Sequence, residues 1–199
     1  WIFDAVRHFG VGPAERVFDL AAQLRERNVV GIGLGGDERR GPAGDFSALY
    51  RKAVERGLRL TVHAGETSGP ESVWAALNIG AERIGHGLAI PIDPELVEVM
   101  AEKQVPLEIC ISSNMRTGAC SDLKLHPVRR LFDLGLMITL NSDDPAMFQT
   151  SLQGEYELAR REFGFSNEHL RELARNSFEA SFLAPEQKLR FLAQIDSVD

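Results

Sequence analysis

Short apolar runs at residues 29–34, 58–62, 83–88, 105–111 and 136–140 are each bounded by Gly, Pro, Asp or Asn, which is the pattern of buried strands. Between them the period changes to that of a helix. Val17, Leu20, Ala21 and Leu24 follow i, i+3, i+4, i+7, and Leu49, Tyr50, Ala53 and Val54 do much the same ahead of Gly57. Asp93-Pro94 predicts an N-cap and first-turn proline for a helix carrying Leu96, Val97 and Met100. His126-Pro127 opens another, with Val128, Leu131 and Phe132 on its apolar face. Strands spaced as βα units, apolar along their whole length, imply a parallel sheet covered on both faces, so the expected fold class is α/β. After Leu140 only helical patterns remain, around Leu152, Tyr156 and Ala159, around Leu170, Leu173 and Ala174, and from Pro185. No low-complexity linker interrupts the chain. It therefore reads as one domain, 1–199, with βα units over 1–147 and terminal helices over 148–199.

Composition narrows the function classes. With 199 residues, 44% hydrophobic and 26% charged, the chain can bury a sizeable core and is neither disordered nor fibrous. No apolar stretch approaches the roughly 20 residues of a membrane span. Acidic residues outnumber basic ones by 29 to 22, for a net charge of -7, and the basic residues form no run, which argues against a nucleic-acid surface. Cys110 and Cys120 show no CxxC spacing and suit a reducing, cytoplasmic setting. The chain opens on Trp1-Ile2-Phe3, inside an apolar run, so sequence upstream of it is expected.

The residues able to bind metal or move protons collect at the ends of the strand runs: Gly35-Gly36-Asp37-Glu38, His63-Ala64-Gly65-Glu66, Gly85-His86-Gly87, Ser112-Ser113-Asn114 and Asn141-Ser142-Asp143-Asp144-Pro145. Catalytic groups of βα barrels come from the C-terminal ends of several strands, where loops vary while the sheet holds the geometry. Gly31, Gly33 and Gly36 also satisfy GxGxxG, with Glu55 as a ribose acid. That dinucleotide reading requires a helix to open at Gly36, and a tight turn or a backbone donor brought close to a ligand are its alternatives. Alternation puts Thr61 and His63 on one face of their strand. Taken singly, His63 and His86 read as structural histidines more readily than as ligands, and Asp143-Asp144 serves equally as an N-cap pair. His8, His126 and His169 read as surface or capping residues. The co-occurrence of His63, Glu66, His86, Asp143 and Asp144 at strand ends on one face is what favours a metal site, because two adjacent carboxylates near a core are costly without a cation.

As a set, His63-Ala64-Gly65-Glu66, Gly85-His86-Gly87 and Ser142-Asp143-Asp144-Pro145 resemble the adenosine deaminase family of zinc-dependent amidohydrolases. Gly35-Gly36-Asp37-Glu38, Ser112-Ser113-Asn114 with Thr117-Gly118, and the segment from Asn176 to Phe182 are similar to further family signatures. The resemblance implies a (β/α)8 barrel, with Zn2+ ligated by His63 and Asp143. It implies that Asp143 and His86 take a proton from the attacking water and hold it in place, while Glu66 protonates N1 of the purine and ammonia leaves from C6. Asp144 would hydrogen-bond N7, and the Gly36 N–H would meet N3. A His-x-His pair at the end of the family's first strand is also implied, and this chain contains none. Counting back from the Ser-Asp-Asp-Pro strand as the eighth, the five full strands become the fourth to eighth, and Trp1-Ile2-Phe3-Asp4 the tail of the third.

The expectation is therefore the C-terminal part of a purine deaminase acting on a 6-aminopurine nucleoside. By itself it would hold zinc weakly, turn over no substrate, and associate with its missing N-terminal segment or with itself. Adenosine, adenine and aminodeoxyfutalosine deaminases share these motifs. Cys110-Ile111-Ser112-Ser113-Asn114-Met115 departs from the Cys-Pro-Thr-Ser-Asn form of a typical adenosine deaminase, which leaves the sugar side open. The alternative is a non-catalytic or processed fragment that binds purine or a partner protein.

Overall fold

The computed structural model describes residues 1–197. The chain forms two compact units, the first Trp1–Glu98 and the second beginning at Val99. Strands and helices alternate in the first: β1 (Ile2–Val6), α1 (Val11–Gln23), β2 (Gly31–Gly35), α2 (Ser47–Glu55), β3 (Arg59–Ala64), α3 (Pro70–Asn78) and β4 (Arg83–His86). Each strand pairs parallel with the next in chain order. The opening residues form a five-residue strand, paired along its whole length from Ile2 opposite Gly31 to Val6 opposite Gly35.

Alternation along these strands sorts the side chains. Ile32, Leu34, Leu60 and Val62 are buried in the core, as are Phe18 and Ala21 of α1 and Leu49, Tyr50 and Ala53 of α2. Tyr50 meets Phe18 edge-on at 5.7 Å and donates its hydroxyl to the Thr61 carbonyl at 2.7 Å. On the opposite face of β2, the Asp4 carboxylate fills the space above Gly33 and Gly35, where a Cβ would lie 2.0 Å and 2.6 Å from its oxygens. That close approach accounts for Gly33 and Gly35, whereas a Cβ at Gly31 would meet the Arg59 carbonyl oxygen at 2.7 Å and one at Gly36 would meet His8 Nδ1 at 2.8 Å. Residues 36–42 are loop and turn, with no helix opening at Gly36, so the dinucleotide reading falls.

Helix α4 (Pro94–Lys103) starts as the Asp-Pro pair predicts: Asp93 Oδ1 accepts from the Glu95 and Leu96 N–H groups at 3.0 Å and 3.2 Å. The second unit holds β5 (Leu107–Ile109), α5 (Ile111–Arg116), α6 (Val128–Asp133), β6 (Ile138–Leu140), α7 (Pro145–Phe148), α8 (Leu152–Phe163), α9 (Asn167–Glu179) and α10 (Pro185–Asp196). β5 pairs parallel with β6, Leu107 opposite Ile138 and Ile109 opposite Leu140. The strand expected over 105–111 is shorter than its apolar run: Ile111 is fully buried yet opens a helix. Hydrophobicity there reports burial, which a turn into a helix also achieves. From residue 148 on the described residues are helical or in connecting loops. Asn176 of α9 donates to the Ile138 carbonyl at 3.0 Å, tying α9 to β6. No helix among the described residues is long and apolar enough to cross a membrane.

His126, expected as a surface or capping residue, caps while buried. It is 4% exposed, its Nδ1 accepts from the Val128 N–H at 3.2 Å, and its Nε2 faces Asn114 Oδ1 at 3.2 Å. An acceptor role for Nδ1 leaves the single proton of the neutral ring on Nε2, donated to Asn114. Burial pushes its pKa down from 6.5 to about 4. The unfolded chain thus binds a proton that the folded one refuses between those values. Stability is intact above pH 6.5 and falls as pH drops towards 4, by about 3 kcal/mol in total from this group. Urea midpoints measured against pH should show this acid loss, reduced in His126→Gln. An equal pH slope in both proteins would refute the assignment.

Candidate metal centre and its proton-transfer groups

β3 and β4 run side by side with His63 opposite Gly85 and Ala64 opposite His86. Gly85 matters for its missing side chain, since a Cβ there would lie 2.9 Å from His63 Cδ2. The two imidazoles approach edge to face with centroids 4.8 Å apart, and His86 Nε2 stands 3.2 Å from His63 Nδ1. Glu66, carried on the turn after β3, brings Oε2 to 3.5 Å from His86 Nε2. One ligand atom from each of His63, Glu66 and His86 lies within 4.8 Å of the others. His86 is 2% exposed, while His63 and Glu66 are half-buried. Three sequence-predicted residues are thus brought together within the first unit.

The donor set is two imidazole nitrogens and a carboxylate oxygen, partly withdrawn from water, the chemistry that borderline-soft zinc accepts. It fits a divalent cation with a proton-handling group beside it. His86 at φ 68 and Asp143 at φ 54 sit in the left-handed region, as do Asn28, Gln104 and Gln149 outside the cluster.

Behind the cluster, two buried charged residues, Arg7 and Glu38, hold the strand ends. Arg7, 1% exposed, donates through Nη2 to the carbonyls of Leu34 at 2.8 Å and His63 at 2.6 Å. Burial lowers the Arg7 pKa, and the Glu38 charge is the largest influence opposing that. Glu38, 4% exposed, accepts from the backbone N–H groups of Gly65, Glu66 and Thr67 at 2.8, 2.9 and 2.8 Å, and from the Ser72 hydroxyl. Burial would push its carboxyl up, but the bonds from Ser72, Thr67, Gly65 and Glu66 hold it below the usual carboxylate range. Gly36 lies in the exposed loop after β2.

In the second unit, Asp143 accepts from the Ser113 hydroxyl at 2.6 Å. Asp144 caps α7, its Oδ1 accepting from the Met147 N–H at 3.0 Å. The capping reading of the pair therefore holds for Asp144, while Asp143 is aimed by a neighbouring hydroxyl. Ser113 itself is carried on α5, whose first turn is pinned by the fully buried Glu155: Oε2 accepts from the Ser112 N–H at 3.2 Å and Oε1 from the Thr150 hydroxyl at 2.6 Å.

A family profile described as adenosine deaminase matches residues 2–198. The chain is 44% identical over 200 residues to the aminodeoxyfutalosine deaminase of Streptomyces avermitilis, covering 99% of this chain and 56% of that protein. Among solved structures it resembles adenine deaminase from Arthrobacter aurescens, with a TM-score of 0.91, 33% identity, and coverage of 98% of this chain and 60% of that one. It also resembles a zinc-bound amidohydrolase from Burkholderia ambifaria, with a TM-score of 0.89, 26% identity, and coverage of 97% and 56%. The chain spans little more than half the length of these relatives. The likenesses place its βα units in the (β/α)8 amidohydrolase class that the motifs imply.

Proposed function

The chain belongs to the adenosine deaminase family, and from that premise we propose that the protein containing it hydrolytically deaminates a 6-aminopurine nucleoside at a zinc site. The observation that carries the reading is the convergence of His63, Glu66 and His86 at the ends of adjacent strands. His63 and Asp143 are the residues assigned to hold the metal, with further donors drawn from sequence outside this chain or from a second copy. When bound, zinc supplies a hydroxide-like nucleophile at neutral pH by pulling the pKa of water to about 7.

The remaining work falls to side chains. His86, buried and backed by the strand, accepts and holds the proton of the attacking water together with Asp143, keeping the oxygen aimed at C6. Glu66 delivers a proton to N1, so that addition of water at C6 leaves no negative charge on the ring. The proton held by His86 and Asp143 then passes to the amino nitrogen, the C6–N bond breaks and ammonia leaves, and the C6 hydroxyl returns its proton to the Glu66 carboxylate, so that a 6-oxopurine remains. In this reading the Gly36 N–H donates to N3 and Asp144 hydrogen-bonds N7. Two such contacts fix the face of the base presented for attack.

The test is ammonia release by the full-length protein from a panel of adenosine, adenine and side-chain-modified 6-aminopurine nucleosides. Stoichiometric ammonia and 6-oxopurine from at least one nucleoside is the expected result. Binding without turnover across the panel would overturn the reading in favour of a purine-binding protein.

A further inference from the structure

We propose that Glu38 is a positioning residue for the proton donor, a fixed anion around which the loop carrying Glu66 is folded; the inference rests on the reading of Glu66 as that donor. Three successive N–H groups, those of Gly65, Glu66 and Thr67, converge on the two oxygens of one carboxylate. Successive backbone amides turned inward in this way make a concave anion site. Here the occupant is a side chain from the neighbouring strand's loop, 27 residues upstream of Gly65.

Further contacts make the arrangement rigid. Gly65 is at φ +68, and a Cβ there would lie 2.7 Å from Val73 Cγ2, so the turn is closed against α3. Ser72, in the first turn of α3, donates to Glu38 Oε2 and anchors the carboxylate from the other side. Arg7 binds the His63 carbonyl. The Glu66 backbone is thereby fixed at its own N–H, and its carboxyl is presented 3.5 Å from His86 Nε2. Glu38 has both oxygens engaged and is buried, so it moves no proton itself. Its effect on the reaction passes through where Glu66 stands.

A purely structural role would slow the enzyme whatever occupied position 66, whereas a positioning role needs the Glu66 carboxyl to act on. The experiment is a double-mutant cycle in the full-length, metal-loaded enzyme. Glu38→Gln should lower kcat about 10- to 100-fold, the order of cost expected from misplacing a reacting group by about an ångström. KM should stay within about threefold and zinc content should be unchanged. In a Glu66→Gln background the same substitution should change kcat by less than about twofold, since the group being positioned is already gone. Ser72→Ala, a milder change that leaves the buried carboxylate in place, should show a severalfold loss with the same dependence on Glu66, and covers the case in which Glu38→Gln does not fold. Losses that multiply in the double variant, or an unaltered kcat in Glu38→Gln and Ser72→Ala, would overturn the inference while leaving the deaminase reading standing. An unaltered kcat in Glu66→Gln alone would overturn the reading beneath it, and the inference with it.

Discussion

Glu66→Gln in the full-length protein is expected to lower kcat by about 10²- to 10⁴-fold, the usual contribution of a positioned general acid. The substitution keeps the shape of the side chain and its hydrogen-bonding reach towards His86, so metal content and KM should hardly move. What it removes is the transferable proton. Without it, water adding at C6 places negative charge on the purine ring in a half-buried site where little solvent can disperse it. Steady-state kinetics with metal analysis on the same sample separates the outcomes. A loss of kcat with zinc retained supports proton delivery by Glu66. A parental rate would remove Glu66 from the mechanism, and a loss tracking zinc content would make it a ligand.

The second large effect is on the metal. Dialysis of the full-length protein against a chelator, or His63→Ala, should reduce deamination by on the order of 10⁴-fold or more, because unassisted water offers almost no hydroxide at pH 7. Zinc added back should restore the chelated protein and fail to restore His63→Ala at comparable concentration. Activity that survives with less than a trace of bound metal would contradict the account. His63 is the sensitive position: its ring stands 3.2 Å from His86 Nε2, so removing it takes away both the proposed ligand and the ring that His86 faces.

Much of this was legible from the amino acids. The strand-helix alternation and the polar cluster closing each apolar run led to the α/β class and to His63, Glu66 and His86 as residues that meet. Those three could be read because they sit at strand ends one register apart, and parallel pairing brings strand ends together whatever the loops do. The glycines of β2 misled only in isolation: Gly33 and Gly35 make room for the Asp4 carboxylate packed above them, a contact that no local pattern announces. Glu38 and Arg7 were visible as residues but not as supports. Their partners are mostly backbone atoms far along the chain, strand carbonyls for Arg7 and loop N–H groups for Glu38, and backbone hydrogen bonds leave no trace in side-chain identity. His126 was hidden for a related reason. A histidine before Pro127 looks like an exposed cap, and the burial that pushes its pKa to about 4, with Asn114 and Phe163 against the ring, comes from tertiary packing that the local sequence does not show.

The most direct test of hydrolytic deamination is the fate of oxygen. Full-length, zinc-loaded protein is incubated with the best 6-aminopurine nucleoside of the panel in ¹⁸O-labelled water, and the purine product is weighed by mass spectrometry while ammonia is counted. The account predicts one labelled oxygen at C6 for each ammonia released, abolished by chelator and strongly reduced in Glu66→Gln. Unlabelled product, or nucleoside bound and recovered intact with no ammonia, would contradict it.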